Sequence, residues 1–132
     1  MTRSTAVGTS MTFTAVMANL TVTDLDRSRR WYAAVMGREA DEAPMDGLLE
    51  WHLTPGPDAR TGLQVFREPE RAGRGGVVLH VGSTADLSTV LTRLDAAGIA
   101  HDEPFDATHT QVVVLADPDG NRVVVTAPFA DA

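Results

Sequence analysis

The sequence predicts an α+β fold made of two βαβββ units, and three observations carry that expectation. A short pattern occurs twice: Thr23-Asp24-Leu25-Asp26-Arg27-Ser28 opens a helical stretch closing near Gly37, and Ala85-Asp86-Leu87-Ser88-Thr89 opens one closing near Gly98. The offsets agree, at 86 − 24 = 62 for the aspartates and 98 − 37 = 61 for the glycines. Each Asp also follows an alternating, strand-like run, so both copies read as strand, capped helix and further strands. Finally, two β-branched runs, Gln111 to Leu115 and Arg122 to Thr126, flank Asp117-Pro118-Asp119-Gly120-Asn121, which is hairpin-turn chemistry. Two such units in one chain form a pseudo-symmetric module with a shared cleft, and function is sought there.

The elements follow in order. Residues 1–12 are polar and rich in Thr and Ser, and are expected to be a frayed extension to a single domain spanning 13–132. Ala15 to Val22 alternates, with Leu20 and Val22 on one face and Met17, Asn19 and Thr21 on the other. Asp24 caps a helix from about Asp26 to Met36, whose Leu25, Trp31 and Val35 fall at helical spacing, and Gly37 closes it. Arg27, Arg29 and Arg30 then point outward. Gly47 and Pro55-Gly56-Pro57 bracket a strand around Leu48 to Thr54, and Thr61 to Arg67 is the next. Glu68 to Gly76, charged and glycine-rich, links the halves. Val77 to Gly82 is a strand, Asp86 caps a helix through about Ala97, and Ile99 to Glu103 begins the return.

Composition narrows the functions. At 132 residues and 43% hydrophobic content the chain suits one domain with its own core. It holds no cysteine, which excludes a disulfide framework, a thiolate metal site and a cysteine nucleophile. A net charge of −7 argues against a nucleic-acid partner, which calls for a basic face. No apolar run has the length of a signal peptide or membrane span, so the default compartment is the cytoplasm and no membrane partner is expected. Phosphate loops and nucleophile elbows are absent too. Asp117 and Asp119 are explained by turn chemistry without catalysis.

Three stretches carry a family resemblance: Leu20 to Tyr32 (LTVTDLDRSRRWY), Ala85 to Gly98, and Asp117 to Val123 (DPDGNRV). In their order and spacing the chain resembles the vicinal oxygen chelate superfamily, which includes glyoxalase I, extradiol dioxygenases, fosfomycin-resistance enzymes and bleomycin-resistance proteins. The resemblance covers nearly the whole chain after Phe13. It implies two βαβββ units, about 13–68 and 76–128, whose mixed sheets curve into a cup, and pairing as a homodimer.

The same resemblance implies four metal-binding positions facing the cup. The first, typically His seven residues before the Asp that opens helix one, is Met17, whose thioether is a poor ligand for the divalent ions such enzymes use. Gln64, within Leu63-Gln64-Val65, stands at the second, typically Glu. His80 matches the third, typically His. Val124 takes the fourth, typically Glu, and coordinates nothing. A catalytic site needs about three protein ligands, so the family metal site reads as lost and neither metal nor cofactor is expected. A relocated set drawn from His80, Gln64 and His52, with Glu50 nearby, is the alternative.

His80 has two readings, a cup-facing hydrogen-bonding or acid–base group and a structurally bonded histidine. On the strand at 48–54 the inward face holds either Trp51 and Leu53 or Glu50 and His52, and the apolar pair is the more natural to bury. Met17, Trp51, Phe66 and Val124, with polar points at Asn19, Thr21, Gln64 and His80, describe an apolar cup that suits an organic ligand. A cup filled by its own side chains is the competing reading. Three function classes follow: a metal-independent protein that binds or sequesters a small organic molecule, a lyase, isomerase or dioxygenase of the same superfamily, and a structural module. The first is favoured, because Met17 and Val124 each delete a ligand, and enzyme activity is not expected.

Overall fold

Helix ends and strand parity account for most of the fold. In the computed structural model, which describes residues 12–53 and 61–129, the chain runs β1 (Met17–Val22), α1 (Leu25–Met36), β2 (Glu42–Met45), β3 (Leu48–His52) and β4 (Gly62–Arg67). A 3-10 turn at Pro69–Arg71 leads to β5 (Gly76–His80), α2 (Thr84–Ala96), β6 (Phe105–Asp106), β7 (Thr110–Ala116) and β8 (Arg122–Pro128). The strands form two four-stranded sheets, β1-β4-β3-β2 and β5-β8-β7-β6. In each, the first pair is parallel and the others antiparallel. The two βαβββ units are therefore present as expected. Residues 1–11 and the Pro55-Gly56-Pro57 cluster lie outside the described residues.

Asp24 caps α1 by accepting from the Arg27 amide at 3.0 Å, and Gly37, at φ 80°, ends it in the left-handed conformation that glycine adopts without penalty. A Cβ there would also stand 2.9 Å from the Arg93 guanidinium carbon of α2, so that side chain would have to shift. That guanidinium donates to the carbonyls of Ala34 and Val35 at 3.1 and 2.8 Å, placing a cation on the C-terminal end of α1.

One face of each sheet packs on the helices. Leu20, Val22, Leu49, Trp51, Leu63 and Val65 from the first sheet and Val113, Leu115, Val123, Val125 and Ala127 from the second join Tyr32, Val35, Leu87, Val90 and Leu94 in a single buried core. The β7–β8 turn clasps the first unit. Asn121 donates to the Thr21 carbonyl at 2.8 Å, Asp119 accepts from the Thr23 hydroxyl at 2.6 Å, and Asp117 accepts from the Tyr32 hydroxyl at 2.7 Å.

Several expectations need correction. Ser83, not Asp86, caps α2, its hydroxyl accepting from the Asp86 amide at 3.1 Å. Tyr32 rather than Trp31 is the aromatic buried by α1. The return after α2 is made by Phe105–Asp106, not by Ile99 to Glu103. β2, whose four residues are all exposed and include Pro44, has no apolar–polar alternation to mark it in the sequence.

Candidate functional site

The sheet faces turned away from the helices carry the candidate site, and strand register orders their side chains in rows. Across the first sheet, Asn19, Gln64, Glu50 and Glu42 stand directly opposite one another, strand to strand. Met17, Gly62 and His52 form the row on one side of it, and Thr21, Phe66, Leu48 and Met45 the row on the other.

Hydrogen bonds join Asn19, Gln64 and Glu50 of the central row and tie in His52 from the next. Asn19 donates to Gln64 Oε1 at 3.2 Å, Gln64 donates to Glu50 Oε2 at 2.6 Å, and His52 Nε2 lies 3.1 Å from Glu50 Oε1. Glu50 is only 7% exposed, so these partners offset the desolvation of its carboxylate. Asp41, just before β2, accepts from the His52 amide at 2.7 Å. That bond and the Arg38 guanidinium hold the Asp41 carboxyl below the usual carboxylate range.

On the second sheet the matching rows are His80, Thr126, Val112 and Phe105, then Val78, Val124 and Val114, then Gly76, Arg122 and Ala116. His80 Nδ1 is hydrogen-bonded to the Thr126 hydroxyl, so the structurally bonded reading of this histidine has a partner. His80 also borders a cavity of about 160 Å³ walled by Val35, Met36, Leu53, Leu79 and Arg93.

Seven residues before each helix cap stand Met17 and Gly76, paired in parallel register with Gly62 and Arg122. Two residues further along β4 and β8 come Gln64 and Val124, which are equivalent. His80 lies four residues beyond Gly76 and is the counterpart of Thr21. The position equivalent to Met17 is therefore Gly76, not His80, since Ser83 moves the cap by three residues. Met17, Gln64, Gly76 and Val124 offer one amide oxygen between them and do not fit a catalytic metal.

The relocated set fares differently. Gln64 and His52 both reach Glu50, but His80 sits on the other sheet with Thr126. Glu42, Glu50 and His52 instead bring one donor atom each to within 4.8 Å of one another. Two carboxylates and an imidazole could hold a divalent ion. Trp51 corrects the expected pocket lining most clearly: it is fully buried on the helix side, 6.2 Å from the Tyr32 ring, and its indole donates to the Arg38 carbonyl at 2.9 Å. The strand parity that buries it turns Glu50 and His52 to the other face. Sequence reasoning missed Arg71 and Arg74, which with Asn19, Thr21 and Gly75 line a cavity of about 230 Å³.

The comparisons with known proteins agree with this architecture. Residues 14–125 match the Glyoxalase/Bleomycin resistance protein/Dioxygenase superfamily. No curated protein sequence matches the chain significantly. Among solved structures, a glyoxalase/bleomycin resistance protein from Catenulispora acidiphila superposes with a TM-score of 0.73 at 24% identity, over 86% of this chain and 96% of that one. TnmS3, an antibiotic-binding protein from a Streptomyces species, gives 0.68 at 22% identity, over 89% and 98%. A lactoylglutathione lyase from Agrobacterium tumefaciens gives 0.66 at 21%, over 89% and 95%.

Proposed function

From the premise that the chain belongs to the Glyoxalase/Bleomycin resistance protein/Dioxygenase superfamily, we propose that it binds or sequesters a small organic molecule without using the family's metal site. One observation carries the reading: among the described residues, the sheet faces turned away from the helices leave their apolar side chains accessible. Val78 and Phe105 are 52% and 54% exposed there, and Met17, Phe66, Val112, Val114 and Val124 are all partly accessible around the hydrogen-bonded polar groups. Trp51, which would have packed such a face solid, is on the other side. Apolar walls supply affinity and sparse polar groups supply orientation.

Exposed apolar sheet faces of this kind call for a cover, and a second copy of the chain is the cover we propose, making the working unit a homodimer in the cytoplasm. That TnmS3 binds an antibiotic makes a natural product or drug a reasonable ligand class. The second reading, a metal-dependent enzyme of the superfamily, is favoured by the convergence of Glu42, Glu50 and His52.

A thermal-shift screen with aromatic and polycyclic compounds tests the proposal, because a ligand that binds only the folded state raises the melting temperature by mass action. Hits are expected, and Val124→Asp should abolish them by placing an unpaired charge on an apolar wall. A broad screen that moves no melting point would leave the structural-module reading in place.

A further inference from the structure

We infer that the ligand is an organic anion, whose carboxylate, sulfonate or phosphate group is held by Arg71 and Arg74 beside β1; this rests on the binding reading above and narrows it. The segment joining the two units places two guanidinium groups within four residues, in a chain whose net charge is −7. Both line the cavity of about 230 Å³ that Asn19, Thr21 and Gly75 complete.

The backbone that carries them is firmly seated. The Thr21 hydroxyl donates to the Arg71 carbonyl at 2.8 Å, and the Gly73 amide donates to the Thr21 carbonyl at 3.2 Å. Gly73, at φ 83°, passes so close to the β7–β8 turn that a Cβ would stand 2.2 Å from the Asp119 carbonyl oxygen. The Gly75 amide donates to Asn121 Oδ1 at 2.8 Å. Two arginines thus project from a stretch of chain pinned on both sides, which lowers the ordering cost of using them.

Their donors are available. Arg74 makes no hydrogen bond or ion pair among the described residues, and Arg71 makes one exposed pair with Glu68, at 3.3 Å. Five N–H donors in a planar fork match an oxyanion in a way that the Asn19 and Thr21 side chains of the same cavity do not. Next to the cavity, Thr21 stands directly opposite Phe66. An anion at the arginines would therefore lay its apolar skeleton along the Phe66 and Leu48 row.

A matched pair of dyes tests this: anilinonaphthalenesulfonate, and phenylnaphthylamine, which has the same skeleton without the sulfonate. Fluorescence titration of the full chain should give an affinity about tenfold higher for the anion, as expected of charge-assisted bonds to an oxyanion. The double variant Arg71→Gln/Arg74→Gln should remove that preference and leave phenylnaphthylamine binding unchanged. Arg29→Gln/Arg30→Gln, the same loss of two charges on α1 where Arg29 pairs with Glu39, should preserve it. If both dyes bind equally, the anion site is wrong and the binding reading survives. A preference that Arg71→Gln/Arg74→Gln lowers no more than the α1 double variant does would mark Arg71 and Arg74 as solvated surface and also overturn the inference. Binding of neither dye would overturn the inference together with the reading it rests on.

Discussion

Tyr32 donates its hydroxyl to Asp117 Oδ2 at 2.7 Å, joining the middle of α1 to the turn between β7 and β8 across 85 residues of sequence. Asp117 is the hub of that turn. It accepts as well from the amides of Asp119 and Asn121 at 2.9 and 2.8 Å and from the Asn121 side chain at 2.8 Å, so its buried carboxylate is fully solvated by protein donors. This is why two aspartates in an Asp-Pro-Asp-Gly turn need no catalytic role.

Removing the hydroxyl alone tests the clasp. Tyr32→Phe keeps the ring against Trp51 and leaves Asp117 short of one donor, which should cost about 1.5 to 3 kcal/mol, the range for hydrogen bonds to charged groups. Urea unfolding measures it, and a loss below about 0.5 kcal/mol, the low end for any net hydrogen bond, would show the clasp to be dispensable. Burial, and then the Asp117 and Asp119 carboxylates, push the Tyr32 phenol far above its usual range. With the folded value raised, stability is kept below the ordinary phenol pKa of about 10 and falls as pH rises above it. Tyr32 is the chain's single tyrosine. Phenolate absorbance should therefore appear only as the protein unfolds in alkali.

What the sequence made legible was local. Asp24, Gly37 and the Asp117 to Asn121 turn each declare themselves through side chains that bond their own neighbours or through a backbone only glycine favours. Asp86 reads as the cap of α2 by residue type and by its match to Asp24, and only the observed acceptance by the Ser83 hydroxyl from the Asp86 amide puts the cap three residues earlier. Counted from Ser83, the residue in step with Met17 is Gly76. Trp51 and Glu50 depend on which face of β3 meets the helices, a matter of register with Leu63 and Gln64 on β4, and adjacent residues on one strand carry no sign of it. Arg71 and Arg74 looked like a solvated linker because the groups that seat it, Thr21 and Asn121, are about 50 residues away in sequence.

His101 makes stability depend on pH in a way unrelated to ligand. Its ring bonds the Asp102 carbonyl at 3.0 Å and Asp95 Oδ1 at 2.8 Å, and both raise its pKa, the carbonyl more. A raised folded pKa means that the stabilisation is complete below the unfolded value of about 6.5 and is lost as pH climbs through the folded value. His101→Gln should lower the melting temperature most near pH 5.5, about one unit below the unfolded pKa, and least in mildly alkaline buffer. A penalty that is constant with pH would refute the assignment.

Metal content discriminates between the two functional readings. With Met17, Gly76 and Val124 at three of the four equivalent positions, protein purified without chelator should hold far less than one equivalent of zinc, nickel, iron or manganese by elemental analysis. Near-stoichiometric metal that disappears in His52→Ala or Glu50→Gln would move the balance to an enzyme with a relocated centre built on Glu42, Glu50 and His52.

His80 decides whether the second sheet takes part in binding. Its ring is tied to Thr126, beside Val112 and Phe105 on one row, and it also borders the cavity near Val35 and Met36. If it bonds a ligand, His80→Ala should weaken the binding of a screening hit by about 0.5 to 1.5 kcal/mol, the net worth of one hydrogen bond. Thr126→Val separates this from a purely structural role, because it removes the ring's partner while leaving the imidazole in place. A ligand-bonding His80 predicts that His80→Ala costs more affinity than Thr126→Val, measured by calorimetry on the same compound. Equal losses in stability with no loss of affinity in either variant would assign His80 to the sheet, and binding would then rest on Asn19, Gln64 and Phe66 of the first sheet.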